Sequence, residues 1–255
     1  MKVRILGCSG GIGGRHLRTT SMIVDHDILI DAGTGVADLP IADLAQIDHV
    51  FITHSHLDHI ACLPFIVDTV GEMRNRPLTV YATAEVTEIL RAHVFNWAVW
   101  PDFSEIPDAQ NPFMRFKVIK LKQPTKIGGR TITALPANHT VPAVGYSIRS
   151  ENGTLVFTGD NTSCPELWAE LNGIRDLRYL IIECAFSNRE RRLAEMSKHL
   201  CPSLLAEELA HMQRDAEIFI THLKPGQIEL TMLEVEDSIG DLRPRMLQNN
   251  QVFDL

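Results

Sequence analysis

Apolar residues along the chain fall into short runs bounded by polar and turn-forming residues. Longer stretches between these runs repeat every three to four positions. Strands are predicted at Lys2–Cys8, across Thr19–Asp31 as a hairpin, and at His49–His54, Leu78–Ala84, Arg115–Leu121, Arg130–Ala137, Ala143–Asp160, Tyr179–Cys184 and Glu217–His222. Within Ala143–Asp160 the pair Asn152-Gly153 separates GYSIRS from TLVFTG and signals a two-residue hairpin turn. Helices are predicted at Asp58–Met73, Ala84–Phe95, Pro165–Leu171, Pro202–Gln213 and Leu233–Ile239, with Asp58 as the N-cap of the first. Strands in both halves with helices between them suit an α/β (α+β) chain whose two mixed sheets pack face to face under outer helices.

No composition shift or linker divides the 255 residues, so a single domain, 1–255, is expected, with an aromatic insertion around 91–108. The N-terminal MKVRILGCSG lacks the apolar core and cleavage site of a secretory signal. No apolar run approaches the roughly 20 residues of a membrane span. Five cysteines, an odd number without C-x-x-C spacing, suit reduced thiols and a cytoplasmic location. The net charge of −8 disfavours a broad surface for polyanions. Glycines in GCSGGIGGRH superficially resemble a dinucleotide loop, but no acidic residue follows where a βαβ unit requires one, and the next segment reads as strand.

The densest chemistry lies in THSHLDH, Thr53–His59, directly after the apolar run HVFI. At an extended strand end His54 and His56 share a face, while Asp58 and His59 come from the following turn and can converge on a second point. Imidazole nitrogens and carboxylate oxygens are ligands suited to a divalent ion such as zinc. Further ligand types close other apolar or alternating runs: His139 in LPANHT, Asp160 in LVFTGDN and His222 in EIFITHLKP.

The run HSHLDH, with His139, Asp160 and His222 following in order, resembles the metallo-β-lactamase superfamily. That resemblance implies an αββα sandwich holding two divalent ions, zinc first with manganese or iron as alternatives. His54, His56 and His139 are then expected on one ion, and Asp58, His59 and His222 on the other, with Asp160 bridging. With the five histidines neutral, two divalent ions set against a bridging hydroxide, Asp58 and Asp160 leave a net charge of about +1, which favours an anionic substrate. Glu183 at a strand end and His199 before a helix match an arrangement of the superfamily's phosphodiester-cleaving members, in which the histidine serves as leaving-group acid or phosphoryl hydrogen-bond donor. The expected catalytic set is Asp58, His199 and Glu183.

A narrower resemblance, carried by HSHLDHI, FNWAVWPDF, KHLCPSLLAEEL and THLKP, is to the class II cyclic-nucleotide phosphodiesterases, which hydrolyse 3′,5′-cyclic nucleotides to 5′-monophosphates. It implies substrate contacts from Trp97, Trp100, Phe103 and Lys224, with a ring stacking the base, unless the rings are packing residues. The expected partner is a small phosphodiester, with neither a large nucleic acid nor a membrane, and a second copy of the chain is left open. Rival readings are a ribonuclease Z-like enzyme, which should carry a basic arm, an enzyme of other phosphodiesters including 2′,3′-cyclic ones, and a metal-bearing sensing or binding protein without turnover.

Overall fold

The structure, a computed structural model, describes residues 1–14 and 16–255. One seven-stranded sheet runs in the order β14 (Val252–Asp254), β1 (Lys2–Gly7), β2 (Ser21–Val24), β3 (Ile28–Ile30), β4 (His49–Phe51), β5 (Leu78–Ala82) and β6 (Met114–Val118). The second, also of seven strands, runs β13 (Arg245–Met246), β12 (Glu217–Thr221), β11 (Leu177–Glu183), β10 (Gly153–Phe157), β9 (Val144–Ser150), β8 (Arg130–Pro136) and β7 (Pro124–Ile127). In each sheet an antiparallel part passes into a parallel part, at β3–β4 in the first and at β10–β11 in the second. The parallel strands β10, β11 and β12 therefore deliver their C-terminal ends to one edge, the side on which open α/β sheets bind ligands.

Three apolar layers give the predicted α-β-β-α order. Between the sheets, Phe51 stacks on Tyr81 with ring centres 4.3 Å apart and meets the edge of Tyr146 at 5.7 Å, beside Phe157, Ile181 and Phe219. The outer face of the first sheet is covered by α1 (Ile41–Leu44), α3 (Leu63–Val70) and α4 (Ala84–His93). The second is covered by α5 (Pro165–Gly173), α7 (Pro202–Leu209) and α8 (Ile228–Ile239). Among the described residues no helix is long and apolar enough to cross a membrane, and all five cysteines are free.

Several predicted boundaries need correction. The expected helix Asp58–Met73 is two helices, α2 (Leu57–Ile60) and α3, followed by a single 3-10 turn. The break arises because the Cys62 amide donates to Ala32 O at 2.8 Å instead of continuing the helical ladder, and Pro64 in the first turn of α3 has no N–H to offer. Asp58 is not the N-cap: His56 holds that position without a side-chain cap bond, and the Asp58 carboxylate faces His222 and His59. The last predicted helix begins earlier, at Ile228. The strands β7, β13 and β14 and the helices α1 and α6 (Arg191–Ser197) had no counterpart among the predictions.

The buried Tyr146 hydroxyl donates to Ile52 O at 2.7 Å, tying β9 to the segment that leads into the histidine cluster. Tyr146→Phe should lower unfolding stability by about 1–3 kcal/mol in urea denaturation, because it leaves that buried carbonyl without its donor.

Candidate metal centre

Four chain segments bring the cluster together. Past β4, Thr53 donates from its amide to Asp31 Oδ1 and from its hydroxyl to Asp31 Oδ2, both at 2.8 Å, and so turns the chain toward α2. Asp160 follows β10 through Gly159, whose φ of +65° suits glycine and where a Cβ would lie 2.8 Å from Val144 O. His222 follows β12 with φ of +62°. Its amide donates to Cys8 O at 2.8 Å, and at Gly10 a Cβ would sit 2.3 Å from His222 O. The N-terminal glycine run, of which Arg15 lies outside the described residues, is thus a close backbone approach to a strand end. His139 lies in the loop between β8 and β9, and its Nδ1–H donates to Lys198 O at 3.0 Å.

The ligand-type atoms form two groups, each within 4.8 Å: His54, His56, His139 and Asp160 in one, Asp58, His59, Asp160 and His222 in the other. Asp160 belongs to both. Its Oδ1 is 3.3 Å from His59 Nε2 and 3.3 Å from His222 Nδ1, and its Oδ2 is 3.7 Å from His54 Nε2 and 4.0 Å from His139 Nε2. Asp58 Oδ2 is 3.6 Å from His222 Nε2. His54 and His56 are not aligned by strand alternation as expected, since β4 ends at Phe51. They lie in the loop that leads into α2, with His56 as its N-cap residue, and His139 meets them from the loop between β8 and β9.

The donor set fits divalent cations on its own geometry. Nε2 of His54, His59 and His222 is buried and has no hydrogen-bond partner among the described residues, a costly state unless something else fills the space. The opposite ring nitrogens are occupied: His59 Nδ1–H donates to Asp31 Oδ2 at 2.7 Å and His54 Nδ1–H to Thr53 Oγ1 at 3.0 Å. Such outer contacts fix the tautomer and aim Nε2 at an ion. Burial drives the His222 imidazole down to about 4, toward the neutral form that ligates. Burial also opposes charge on His59, yet Asp160 and Asp31 outweigh it and hold that imidazole well above its usual range. A bound cation would take over the positive charge that this proton supplies.

Beside the cluster, burial alone would lower the His199 pKa, but the charge and hydrogen bond of Glu183 raise it above its ordinary value. His199 Nδ1–H donates to Glu183 Oε1 at 2.6 Å. The buried Glu183 carboxylate also accepts from the amides of Asn161, Ala185 and Leu200 at 3.1–3.2 Å. The His199 ring stacks on His222 with centres 5.2 Å apart and meets His139 at 4.9 Å, so it borders both metal groups.

The expected substrate residues are scattered. Phe103 is a core side chain packed with Phe113 and closed to solvent. Trp100 is half-buried, edge-on to Phe65. Trp97 is 61% exposed on a turn held by the Asn96 side chain. Lys224 lies two residues past His222, with Nζ donating to Gly10 O at 2.7 Å. Sequence reasoning missed Asp31, Thr53 and Lys198. Asp31 carried the same signal as Asp160, an acidic residue closing an apolar run, whereas Lys198 had none.

Residues 26–223 match the model of the Beta-lactamase superfamily domain, so the chain belongs to the β-lactamase superfamily. Within it, a probable 3′,5′-cyclic-nucleotide phosphodiesterase from Yersinia pestis is 25% identical over 277 residues, which cover 88% of this chain and 78% of that protein. A ribonuclease Z from Clostridium novyi is 30% identical over 156 residues, 57% of this chain and 49% of the relative, so the chain spans about half of that enzyme. The crystal structure of unliganded yeast PDE1 has a TM-score of 0.80 at 18% identity, covering 100% of this chain and 99% of PDE1. The metallo-β-lactamase fold protein YhfI from Bacillus subtilis gives 0.75 at 19%, covering 99% and 98%. At these identities the structures establish the shared fold.

Asp160→Ala should abolish binding of both ions in metal analysis of purified protein, because Asp160 belongs to both groups. Asp31→Asn should keep both sites but weaken metal affinity by about 10–100-fold, the usual effect of losing a partner behind a ligating histidine; unchanged affinity would assign Asp31 to packing alone.

Proposed function

We propose that the chain is a dinuclear metal-dependent phosphodiesterase that hydrolyses 3′,5′-cyclic nucleotides to 5′-monophosphates. The observation that carries this reading is His199, held by the buried Glu183 and standing against His139 and His222. It supplies what opening a cyclic phosphodiester demands, a proton for the departing 3′-oxygen. Two divalent ions held by His54, His56, His139, Asp58, His59, His222 and Asp160 would supply a nucleophile at neutral pH and a positive clamp for the phosphoryl oxygens.

The chain's own residues account for the rest of the reaction. His199 gives its proton to O3′ as the P–O3′ bond breaks, while Glu183 stabilises the imidazolium beforehand and keeps Nδ1 protonated. One water is consumed, its hydroxyl joining phosphorus and its proton restoring His199. Lys224 adds positive charge near the same strand end. Support for the substrate comes from the relative in Yersinia, which aligns across most of the chain. The ribonuclease Z relatives favour a second reading, but the net charge of −8 offers a long RNA little general attraction. Free cysteines support placing the enzyme in the reducing cytoplasm, and zinc is the first ion to test, then manganese and iron.

The test is a panel of cyclic AMP, cyclic GMP, 2′,3′-cyclic phosphates and short RNA 3′ ends with each metal; cleavage of RNA ends without cleavage of cyclic nucleotides would replace this reading with the nuclease. His199→Ala should lower kcat on cyclic AMP by about 10²–10⁴ while metal content holds. On bis(p-nitrophenyl) phosphate, whose leaving group needs no proton, much of the rate should return. Equal losses on both substrates would make His199 a binding or structural residue.

A further inference from the structure

The helix α6 ends at Lys198, whose φ of 53° and ψ of 50° place it in the left-handed region. Its amide returns to Glu195 O at 3.3 Å and the amide of His199 to Ala194 O at 2.9 Å, which closes the helix and leads the chain into His199. Glycine ordinarily occupies a helix end of this kind, because it has no Cβ to strain. A lysine here has no reason in the backbone, and the contacts of its side chain supply one.

Lys198 is half-buried and folds back on the loop between β8 and β9, where Nζ donates to Asn138 Oδ1 at 3.0 Å and to His139 O at 3.1 Å. In return the His139 ring donates from Nδ1 to Lys198 O at 3.0 Å. Each side chain thus bonds the other residue's carbonyl, across 59 positions of chain. Asn138 carries the link further. Its Nδ2 donates to Ser163 O at 2.9 Å and its amide to Asn161 Oδ1 at 2.6 Å, both just past Asp160. The Asn161 amide donates in turn to Glu183 Oε1 at 3.1 Å, the atom that also accepts from His199 Nδ1. A closed circuit of hydrogen bonds therefore joins the segments of His139, Asp160, Glu183 and His199, and the Lys198 ammonium enters it as a charged donor, stronger than a neutral one.

We infer that Lys198 is a positioning residue whose ammonium ties the loop of His139 to the end of α6, and so holds a candidate metal ligand and the acid His199 in one register; the part that concerns the acid rests on the phosphodiesterase reading above. His139 belongs to the group with His54, His56 and Asp160, and its ring centre is 4.9 Å from that of His199. Releasing the tie would displace the ligand and the acid relative to each other. The group of Asp58, His59, Asp160 and His222 does not include His139 and is spared.

Two variants test this. Lys198→Gly removes the ammonium and keeps the carbonyl that His139 bonds, in a backbone conformation that glycine adopts freely. Lys198→Met removes the ammonium and keeps the apolar stem. In titration of the metal-free protein with zinc against a chelator, both should weaken one of the two binding steps by on the order of tenfold, the scale of losing support behind a ligating histidine, and leave the other step unchanged. The melting temperature of metal-free Lys198→Gly should match wild type. In the zinc-loaded variants kcat on cyclic AMP should fall by on the order of tenfold, as misplaced groups cost rate, with KM unchanged. The loss should be smaller on bis(p-nitrophenyl) phosphate, whose leaving group needs no proton from His199. Wild-type zinc binding in either variant, equal weakening of both steps, or equal kcat losses on the two substrates would overturn the positioning role. One weakened zinc step in the variants, with wild-type protein that leaves cyclic AMP uncleaved, would overturn the substrate reading and keep the tie between Lys198 and His139.

Discussion

Asp160 is a buried carboxylate surrounded by imidazoles, within 3.3–4.0 Å of ring nitrogens of His59, His222, His54 and His139. Among the described residues three of the neighbouring Nε2 atoms have no hydrogen-bond partner, and buried polar atoms left unpaired are costly. Cations would fill that space, and the strand ends of both sheets converge on it. Parallel strands β10, β11 and β12 end at one edge and contribute Asp160, Glu183 and His222. The first sheet contributes the His54–His59 turn from β4 and, behind it, Asp31 from β3.

Around this centre the backbone adopts conformations that ordinary packing would not select. Asp31, His222 and Lys198 all have positive φ, at 55°, 62° and 53°. For residues other than glycine such angles cost on the order of 1–3 kcal/mol and persist where surrounding structure holds them. Each is held by contacts that serve the site: Asp31 by Thr53 and His59, His222 by the glycine loop, and Lys198 by its double clamp on the His139 loop. Glu183 has the corresponding role for His199, with its remaining acceptor capacity filled by main-chain amides.

The candidate centre was readable in the sequence in part because a His or Asp closing an apolar or alternating run marks a strand end that faces something polar. His139, Asp160 and His222 announced themselves in this way, and His54, His56, Asp58 and His59 by their density in THSHLDH. Less was visible where the outcome depends on distant chain. Asp58 read both as an N-cap and as a partner of His59 and His222; the N-cap reading failed because its carboxylate is turned toward His222, which lies far along the chain. The break between α2 and α3 depends on the Ala32 carbonyl, which no local pattern reveals. The strands β13 and β14 have two and three residues and take their register from neighbours, so periodicity has too little length to act on. The aromatic insertion shows a different limit, since composition identifies rings but cannot say which way they face. Phe103 went to the core, Trp97 to the surface.

The central claim is that Asp160 joins two cation sites. Anomalous diffraction from crystals grown with zinc, recorded above and below the zinc edge, tests it directly. The account predicts two peaks about 3.5–4 Å apart, one bounded by His54, His56 and His139 and the other by Asp58, His59 and His222, with Asp160 touching both. A single peak, or none within reach of Asp160, would contradict it.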